Sequence, residues 1–236
     1  MPVLLYYGAM TRELRVYRLG VVPYETAYEW QRAAVQRRID GDPTDALFLL
    51  EHPPVLTLGR RANPRHILAS RTTLAAQGID VIETDRGGDV TYHGPGQLVV
   101  YPVLNLSRYR KDIGWYLRQL EETAIRTISD YGLQGERVLG HTGVWVDGAK
   151  IAAIGVAIRR WVTYHGVGLN VATNADHFDL IVPCGIADKR VTSISAVLGN
   201  RVAVEDVTGS FVARFAEVFD VGAAREADLA ELACGR

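Results

Sequence analysis

A glycine-rich stretch that leads directly into an apolar strand constrains this sequence more than any other feature. Residues 86–97 read Arg-Gly-Gly-Asp-Val-Thr-Tyr-His-Gly-Pro-Gly-Gln, and the run that begins at Gln97 is rich in valine and leucine. Glycines at this density allow tight turns and let a ligand approach the backbone closely. A plain hairpin turn needs neither Arg86 nor His93. The stretch therefore predicts a binding loop at the edge of a rigid sheet.

The remaining sequence predicts helices that alternate with strands. Strands are expected over 15–19, 46–50, 55–58, 81–82, 97–104 and 163–171, and helices over 24–39, 64–69, 72–77, 113–131, 193–198 and 204–219. Asp147-Gly148 predicts a hairpin turn between 143–146 and 149–158. This pattern favours an α/β (α+β-like) fold, a single domain with a mixed β-sheet flanked by helices. We expect the domain to cover 1–220 and 221–236 to form a flexible C-terminal tail.

Composition excludes several classes of protein. The 26 basic and 27 acidic residues give a net charge of −1, which is unlike a general nucleic-acid binder. Because no signal peptide and no membrane-spanning apolar run is evident, we expect a soluble, cytoplasmic protein with no membrane partner. The two cysteines do not make a disulfide scaffold. The six histidines lack zinc-type spacing, so no metal is expected.

Two side chains are candidates for chemistry. Cys184 lies between Pro183 and Gly185, which suits a residue presented at a loop tip, although most free cysteines are small buried hydrophobes. Lys150 follows the Asp-Gly turn and precedes an apolar strand. It is either an exposed hairpin residue or a group whose ammonium favours a nearby thiolate. Among the histidines, those at 93 and 165 each precede a glycine beside a strand and are site candidates. His66 and His177 are expected at the surface, and Cys234 is expected to be incidental.

Several motifs occur in one order along the chain: 51–59 (Glu-His-Pro-Pro-Val-Leu-Thr-Leu-Gly), 86–97, 143–146 (Gly-Val-Trp-Val), 150–155 (Lys-Ile-Ala-Ala-Ile-Gly), 165–170 (His-Gly-Val-Gly-Leu-Asn) and 183–186 (Pro-Cys-Gly-Ile). Together they resemble the lipoyl(octanoyl) transferases, also called the lipoate–protein ligase B family. The similarity runs from about residue 14 to residue 219. Each motif alone is weak, but the set in register is specific.

The resemblance implies a fold similar to the catalytic domains of biotin and lipoate protein ligases. It implies transfer of an octanoyl group from octanoyl-acyl carrier protein to a lysine of a lipoyl domain, through a cysteine thioester, as the first step of protein lipoylation. It places the catalytic pair at Cys184 and Lys150 and requires no cofactor. It implies substrate binding by Arg86, Gly87, Gly88, Asp89, Val90, Thr91, Tyr92, His93, Ala153, Ile154, Gly155, Gly166, Val167 and Gly168. The family more usually has alanine at the position of Gly168, where a missing methyl group would loosen the pocket.

The implied partners are octanoyl-acyl carrier protein as donor, with the lipoyl domains of 2-oxoacid dehydrogenase complexes and the glycine cleavage H protein as acceptors. A monomer is expected, with no nucleic-acid partner. Arg60, Arg61 and Arg65 lie near the predicted site in the sequence. Basic side chains at a site mouth would steer acidic partner domains, although arginines are commonly a solvated face only.

Three other functions were weighed against this one. An ATP-dependent lipoate or biotin ligase on the same scaffold would activate a free acid, which needs no cysteine nucleophile. The sequence also has no Walker-type phosphate loop. A non-catalytic scaffold protein would be free to lose Cys184 or Lys150, and both are present. A thiol protease requires a Cys–His pair, for which His93 and His165 are the available partners.

Overall fold

The computed structural model describes residues 12–182 and 190–233. Pro183, Cys184 and Cys234 therefore lie outside the described residues. Eight described strands form one sheet in the order β11-β1-β2-β6-β10-β9-β8-β7. They are β1 (Glu13–Val21), β2 (Asp45–Glu51), β6 (Gln97–Val103), β7 (Glu136–Val138), β8 (His141–Val146), β9 (Ala149–Arg159), β10 (Val162–Asn170) and β11 (Ala223–Glu226). β1 is parallel to both of its neighbours, and the pairs from β2 to β7 are antiparallel. The predicted mixed sheet is confirmed.

Helices cover both faces of this sheet. They are α1 (Tyr24–Ile39), α2 (Arg71–Ala76), α3 (Ile113–Ser129), α4 (Ile194–Leu198), α5 (Val204–Val218) and α6 (Ala230–Ala233), with 3₁₀ turns at Pro64–His66, Leu106–Arg108 and Ala175–Leu180. Along β6, Leu98 and Val100 pack with α3 and α5, whereas Val99 and Tyr101 pack with α1. Burial on both faces explains why this strand is a continuous apolar run. Within the described ranges, none of the helices has the length and apolarity to cross a bilayer.

A second sheet has three strands, β3 (Val55–Leu58), β4 (Asp80–Glu83) and β5 (Val90–His93), in the order β4-β3-β5. The sequence analysis treated β5 as part of a loop, and this was wrong. The strand is only four residues long and is flanked by glycines, so its alternating pattern is too short to stand out. β5 pairs antiparallel with β3. This pairing makes the glycine-rich stretch one edge of a sheet.

Two other segments differ from the predictions. The helix expected over 64–69 is a single 3₁₀ turn, because Ile67 instead forms a β-bridge with Ile181. The tail expected to be flexible contributes Ala223–Glu226 as an edge strand, paired in parallel with Glu13–Val16 of β1. These four residues are exposed and show no alternation of apolar and polar side chains. Their strand therefore depends on backbone pairing with the edge of β1 and not on the burial of side chains. The domain boundary near residue 220 stays a prediction.

Candidate active site

The loop of residues 86–89 lies directly against β9. The Gly87 N–H donates to the Val156 carbonyl at 2.8 Å. A Cβ on Gly155 would come within 2.9 Å of the Gly87 carbonyl oxygen, closer than real Cβ atoms approach a backbone oxygen. Glycine is therefore required at 155 because the loop backbone crosses the strand at contact distance. This contact brings two of the predicted substrate-binding segments together.

Arg86 holds this loop in place. Its Nε donates to the Thr57 hydroxyl at 3.1 Å, and its Nη2 donates to the Asp89 carbonyl at 2.7 Å. The residue is 6% exposed. Charged groups this buried are normally satisfied by protein partners, as here. We therefore interpret Arg86 chiefly as the group that fixes the loop to β3, although it also lines the cavity described next.

A narrow cavity lies between the glycine loop, β9 and β10. Its wall includes eleven of the residues expected to bind substrate, together with the site candidate His165 and with Tyr24 and Tyr101: the eleven are Arg86, Gly87, Gly88, Thr91, His93, Ala153, Ile154, Gly155, Gly166, Val167 and Gly168. Two predicted residues face elsewhere, since Val90 and Tyr92 pack in the core of the small sheet. Side chains alternate along a strand, so Thr91 and His93 face the cavity and their neighbours in β5 do not. The side chains of Val90 and Tyr92 therefore lie outside this cavity, and their part in substrate binding stays a prediction.

A chain of hydrogen bonds fixes the protonated nitrogen of His93. The Gln97 amide nitrogen donates to Asn170 Oδ1 at 2.9 Å and to the Tyr92 carbonyl at 3.3 Å. Gln97 Oε1 then accepts from His93 Nδ1 at 2.6 Å, which leaves Nε2 as the unprotonated nitrogen. Burial lowers the pKa of His93 to about 3. The cavity wall therefore presents a neutral imidazole at neutral pH.

A second polar cluster supports the cavity at β10. His165 Nε2 lies 2.8 Å from Asp85 Oδ1, and its Nδ1 lies 3.4 Å from the Tyr24 hydroxyl. His165 has a φ of +55°, a strained value for a non-glycine residue, and its backbone N–H donates to the Gln31 side chain at 2.7 Å. Burial lowers the pKa of His165 although Asp85 opposes this effect. Burial would raise the pKa of Asp85, but hydrogen bonds from His165 and Tyr164 outweigh it and lower that pKa.

Lys150 lies in the wall of an outer cleft that borders the narrow cavity. The cleft is lined by Arg61, Gly87, Gly88, Asp89, Ile113, Leu117, Gly140, His141, Thr142, Lys150, Ile154, Gly155 and Val156. Four of these residues, at 87, 88, 154 and 155, also line the inner cavity. Lys150 is 9% exposed, so it is not an ordinary exposed hairpin residue. The predicted lysine therefore lies in the wall of a cleft that borders the cavity lined by the predicted acyl-binding segments.

Two neighbours on β8 shape the position of Lys150. Its ammonium lies 4.9 Å from the centre of the Trp145 ring, which is its cross-strand partner. A Cβ on Gly143 would come within 3.2 Å of Lys150 Cε and within 2.6 Å of the Ala152 carbonyl. The lysine stem thus occupies space that only glycine leaves open at 143. The motif residues Gly143 and Trp145 therefore have a local physical role beside the lysine.

The described chain on either side of residues 183–189 is hydrogen-bonded to this site. The Val182 N–H donates to the His66 carbonyl at 2.7 Å, and the His66 ring pairs with Asp89 of the glycine loop. On the other side of residues 183–189, the Lys150 N–H donates to the Arg190 carbonyl at 2.8 Å. The prediction that His66 is a surface residue was incomplete, because its ring is half-buried against Asp89. His177 is half-buried too, with Nδ1 2.7 Å from the Tyr92 hydroxyl.

The sequence analysis missed Tyr24 and Tyr101 as cavity residues. Tyr24 begins α1, and burial raises its pKa to about 12, so its hydroxyl remains protonated. Tyr101 is a polar residue in a fully buried strand, and its hydroxyl lies 2.7 Å from His52 Nε2. A hydroxyl inside an otherwise apolar run needs a buried partner, which was the available indication in the sequence. Tyr24 offered no comparable indication.

The structure gives a specific expectation for Gly168, the position at which the sequence analysis noted a departure from the family that the sequence resembles. A Cβ there would lie 3.0 Å from Gln97 Oε1, not in open cavity space. Gln97 is 1% exposed and is held by His93 and Asn170. We expect Gly168→Ala to lower the free energy of unfolding by about 1 kcal/mol and the melting temperature by about 2–4 °C.

Thermal unfolding of the purified variant measures this effect. Gly209→Ala is the control, because that helical position has open space around the added methyl group, where alanine is favoured over glycine. A Gly168→Ala protein as stable as wild type would show that the Gln97 side chain moves aside without cost.

Comparison with known proteins identifies the family. Residues 23–216 match the family model described as the lipoyl protein ligase A/B catalytic domain. The chain belongs to the lipoyl protein ligase A/B family. The curated octanoyltransferase of Chloroflexus aggregans is 49% identical over 213 residues, covering 89% of this chain and 96% of that protein. The octanoyltransferase of Thermosynechococcus vestitus is 48% identical over 215 residues, covering 91% and 93%. The predicted family is confirmed.

Solved structures confirm the fold class of this family member. The bipartite lipoate protein ligase of Thermoplasma acidophilum superposes with a TM-score of 0.73 at 18% identity, covering 94% of this chain and 91% of that one. A lipoate-protein ligase A bound with ATP gives a TM-score of 0.72 at 16% identity, covering 95% and 93%. At such low identity the likeness shows the fold alone.

Proposed function

We propose that the chain is an octanoyltransferase, which moves an octanoyl group from a carrier thioester to a protein lysine through a thioester on Cys184. The activity is the one named for its curated relatives at about half identity over nearly the whole chain. The observation that supports it most directly is the position of Lys150 in the wall of an outer cleft that shares four lining residues with a narrow glycine-lined cavity. Cys184 is two residues beyond Val182, a position hydrogen-bonded to His66 beside the glycine loop. Two peptide units span at most about 7 Å.

In the first half-reaction, the Cys184 thiol passes its proton to Lys150. The thiolate attacks the carbonyl carbon of the donor thioester, and the tetrahedral intermediate collapses with loss of the carrier thiolate. The Lys150 ammonium returns its proton to that thiolate. One thioester bond forms and one breaks, so the step is nearly isoenergetic. Its barrier therefore depends on the supply and position of the thiolate.

In the second half-reaction, the acceptor lysine amine attacks the Cys184 thioester. The new amide forms as the carbon–sulfur bond breaks. The proton lost by the acceptor nitrogen passes to the neutral Lys150 amine and then to the departing thiolate. An amide is more stable than a thioester, so this step runs downhill without nucleotide. A backbone N–H group would stabilise the developing oxyanion, and Gly87 is not that donor because its N–H is bonded to the Val156 carbonyl.

The inner cavity suits a single alkyl chain. Its volume is about 40 Å³. This corresponds to roughly three water-sized spheres. Burial lowers the pKa of His52 to about 4 and that of His93 to about 3. Both imidazoles at or beside the cavity wall are therefore neutral at neutral pH. Each buried methylene contributes roughly 0.8 kcal/mol, so a closely fitting channel discriminates between chain lengths modestly.

We further propose octanoyl-acyl carrier protein as the donor and lipoyl domains as acceptors, including those of 2-oxoacid dehydrogenase complexes and the glycine cleavage H protein. Arg60, Arg61 and Arg65 are all exposed beside the glycine loop, where the backbone of Arg61 is bonded to Gly88. An exposed basic group at this position would speed the encounter with acidic domains. A monomeric state stays a prediction.

The test is intact-mass spectrometry after incubation with octanoyl-acyl carrier protein, without ATP or magnesium. Wild type should gain one octanoyl group that hydroxylamine removes and that a lipoyl domain takes up. Cys184→Ser should fail to turn over, whereas Cys234→Ser, which removes the other cysteine, should behave as wild type. Turnover by Cys184→Ser at the wild-type rate would exclude the proposed nucleophile. An absolute requirement for ATP would support the ligase alternative.

A further inference from the structure

We propose that Glu121 is a positioning residue for Lys150 and that it acts through the backbone of Gly143. Glu121 lies in α3, is fully buried and lines neither the inner cavity nor the outer cleft. It belongs to none of the motifs that resemble the family. This inference rests on the proposed function, since it takes Lys150 as the group that accepts the proton of Cys184.

Lys150 lies at an irregularity in the pairing of β8 with β9. The pairs on either side of the irregularity are Val144 with Ala152 and Trp145 with Lys150. β9 therefore has one extra residue, Ile151, where β8 has none. Such a bulge redirects side chains and is common beside active sites. The direction of the Lys150 side chain thus depends on the local path of β8 as well as on regular strand alternation.

The pairing of β8 with β7 is irregular at the same place. Residues 141–145 of β8 lie opposite residues 136–138 of β7, so β8 has two extra residues there. Gly143 is in the middle of this bulged stretch, and its N–H donates to Glu121 Oε1 at 3.1 Å. The helix thus supplies an acceptor to a backbone group where β8 departs from regular pairing with β7.

The second carboxylate oxygen of Glu121 connects the same point to β7. Oε2 accepts from Arg137 Nε at 3.1 Å, and it also pairs with Arg118 of α3. Arg137 is the middle residue of the stretch of β7 that faces the bulge. A carboxylate is costly to bury, whereas the two arginine side chains are partly exposed and would be solvated without it. We therefore attribute the full burial of Glu121 to its bond with Gly143, which holds β8 in place.

Gly143 transmits the position of β8 to Lys150. A Cβ on Gly143 would lie 3.2 Å from Lys150 Cε and 3.3 Å from the Trp145 ring. The lysine stem therefore packs against the backbone at 143, and its ammonium lies 4.9 Å from the centre of the Trp145 ring. A shift of β8 at Gly143 would move this ammonium relative to the Cys184 thiol. A displacement of about 1 Å in an active site can cost about 100-fold in rate.

The experiment measures octanoyl transfer and, in the Cys234→Ser background, the alkylation rate of Cys184 as a function of pH. Glu121→Ala removes both acceptor oxygens. Glu121→Gln keeps the size of the side chain but has one acceptor oxygen, so either Gly143 or Arg137 loses its partner. Both variants should lower the rate of transfer by roughly 10- to 100-fold, with the smaller loss in Glu121→Gln.

The midpoint of the alkylation profile should move to higher pH in both variants, because the displaced ammonium stabilises the thiolate less. Loss of a carboxylate would by itself lower the pKa of a nearby thiol, so the charge of Glu121 alone cannot cause this shift. The other titratable groups that line the cleft with Lys150 are Arg61, Asp89 and His141, and neither variant changes them.

Asp45→Ala and Asp45→Asn are the matched controls. Asp45 is also a buried carboxylate, and its Oδ1 accepts from Arg38 Nε at 2.7 Å and from the Asn105 N–H at 3.1 Å. It lies in β2 and lines neither cavity. These variants should also lose stability in thermal unfolding, but they should keep the wild-type alkylation profile.

Two results would overturn the positioning role. Glu121 variants that lost stability but kept the wild-type profile would show that the residue supports the fold only, and a shift to lower pH would show a charge effect only. Should Glu121→Ala not fold, Glu121→Gln decides the question. If Lys150→Met shifts the profile and the Glu121 variants do not, this inference fails while the proposed function stands. If Lys150→Met keeps both the profile and the transfer rate, the proposed Cys184–Lys150 pair itself is wrong.

Discussion

Replacing Lys150 by methionine is expected to lower octanoyl transfer by roughly 10²–10⁴-fold, the usual contribution of a positioned acid–base group. Methionine keeps an unbranched side chain of similar length over the Trp145 ring but has no ammonium. The variant should therefore fold normally. In the Cys234→Ser background, the alkylation rate of Cys184 is measured as a function of pH. The midpoint of this pH profile should shift to higher pH in the variant, because the thiolate loses its cationic neighbour.

Lys111→Met is the matched control, since it removes an exposed lysine at a position before α3. It should leave both the transfer rate and the alkylation profile unchanged. If Lys150→Met lost transfer but kept the wild-type alkylation profile, Lys150 would act in the second half-reaction only. If it kept both, the proposed Cys184–Lys150 pair would be wrong.

The elements that the sequence predicted well are those with a strong pattern of their own. The helix over 24–39 was predicted with the bounds that the structure has, because apolar residues recur along one face and Gly41 follows it. The hairpin at Asp147-Gly148 was predicted from its turn chemistry. The edge strand β11 was missed because its place depends on the backbone edge of β1, which lies more than 200 residues earlier.

The site was predictable in part for a related reason. Glycines are informative where a backbone contact requires them, and the contact of Gly155 with Gly87 is such a case. The pairing of Asp85 with His165 and the placement of Tyr24 depend on three distant segments meeting at one cavity. No local pattern encodes that meeting. The continuous motif includes Val90 and Tyr92, but side chains alternate between the two sides of a strand, so these two side chains lie in the core of the small sheet.

Gly88→Val is expected to abolish acyl transfer while the domain stays folded. Gly88 has a φ of +96°, where a β-branched residue is strained. A Cβ there would also lie 3.3 Å from Arg86 Nη1, the arginine that holds the loop. Gly88 lines both the inner cavity and the outer cleft, so a valine side chain there would take up space where the two border each other. We expect the rate of octanoyl transfer to fall by more than about 100-fold. Separately, the backbone strain should lower the free energy of unfolding by roughly 1–2 kcal/mol.

The strain and the blockage can be separated with Gly199→Val. Gly199 has a φ of +70° after α4, with no atom within 4 Å of an added Cβ, and it lines neither cavity. Both variants should therefore lose similar stability in thermal unfolding, but only Gly88→Val should lose octanoyl uptake by intact mass. Equal losses of transfer in the two variants would attribute the effect to backbone strain. If a folded Gly88→Val protein transferred octanoyl groups normally, the side chain at 88 would not obstruct the substrate. The acyl group would then bind away from the glycine loop.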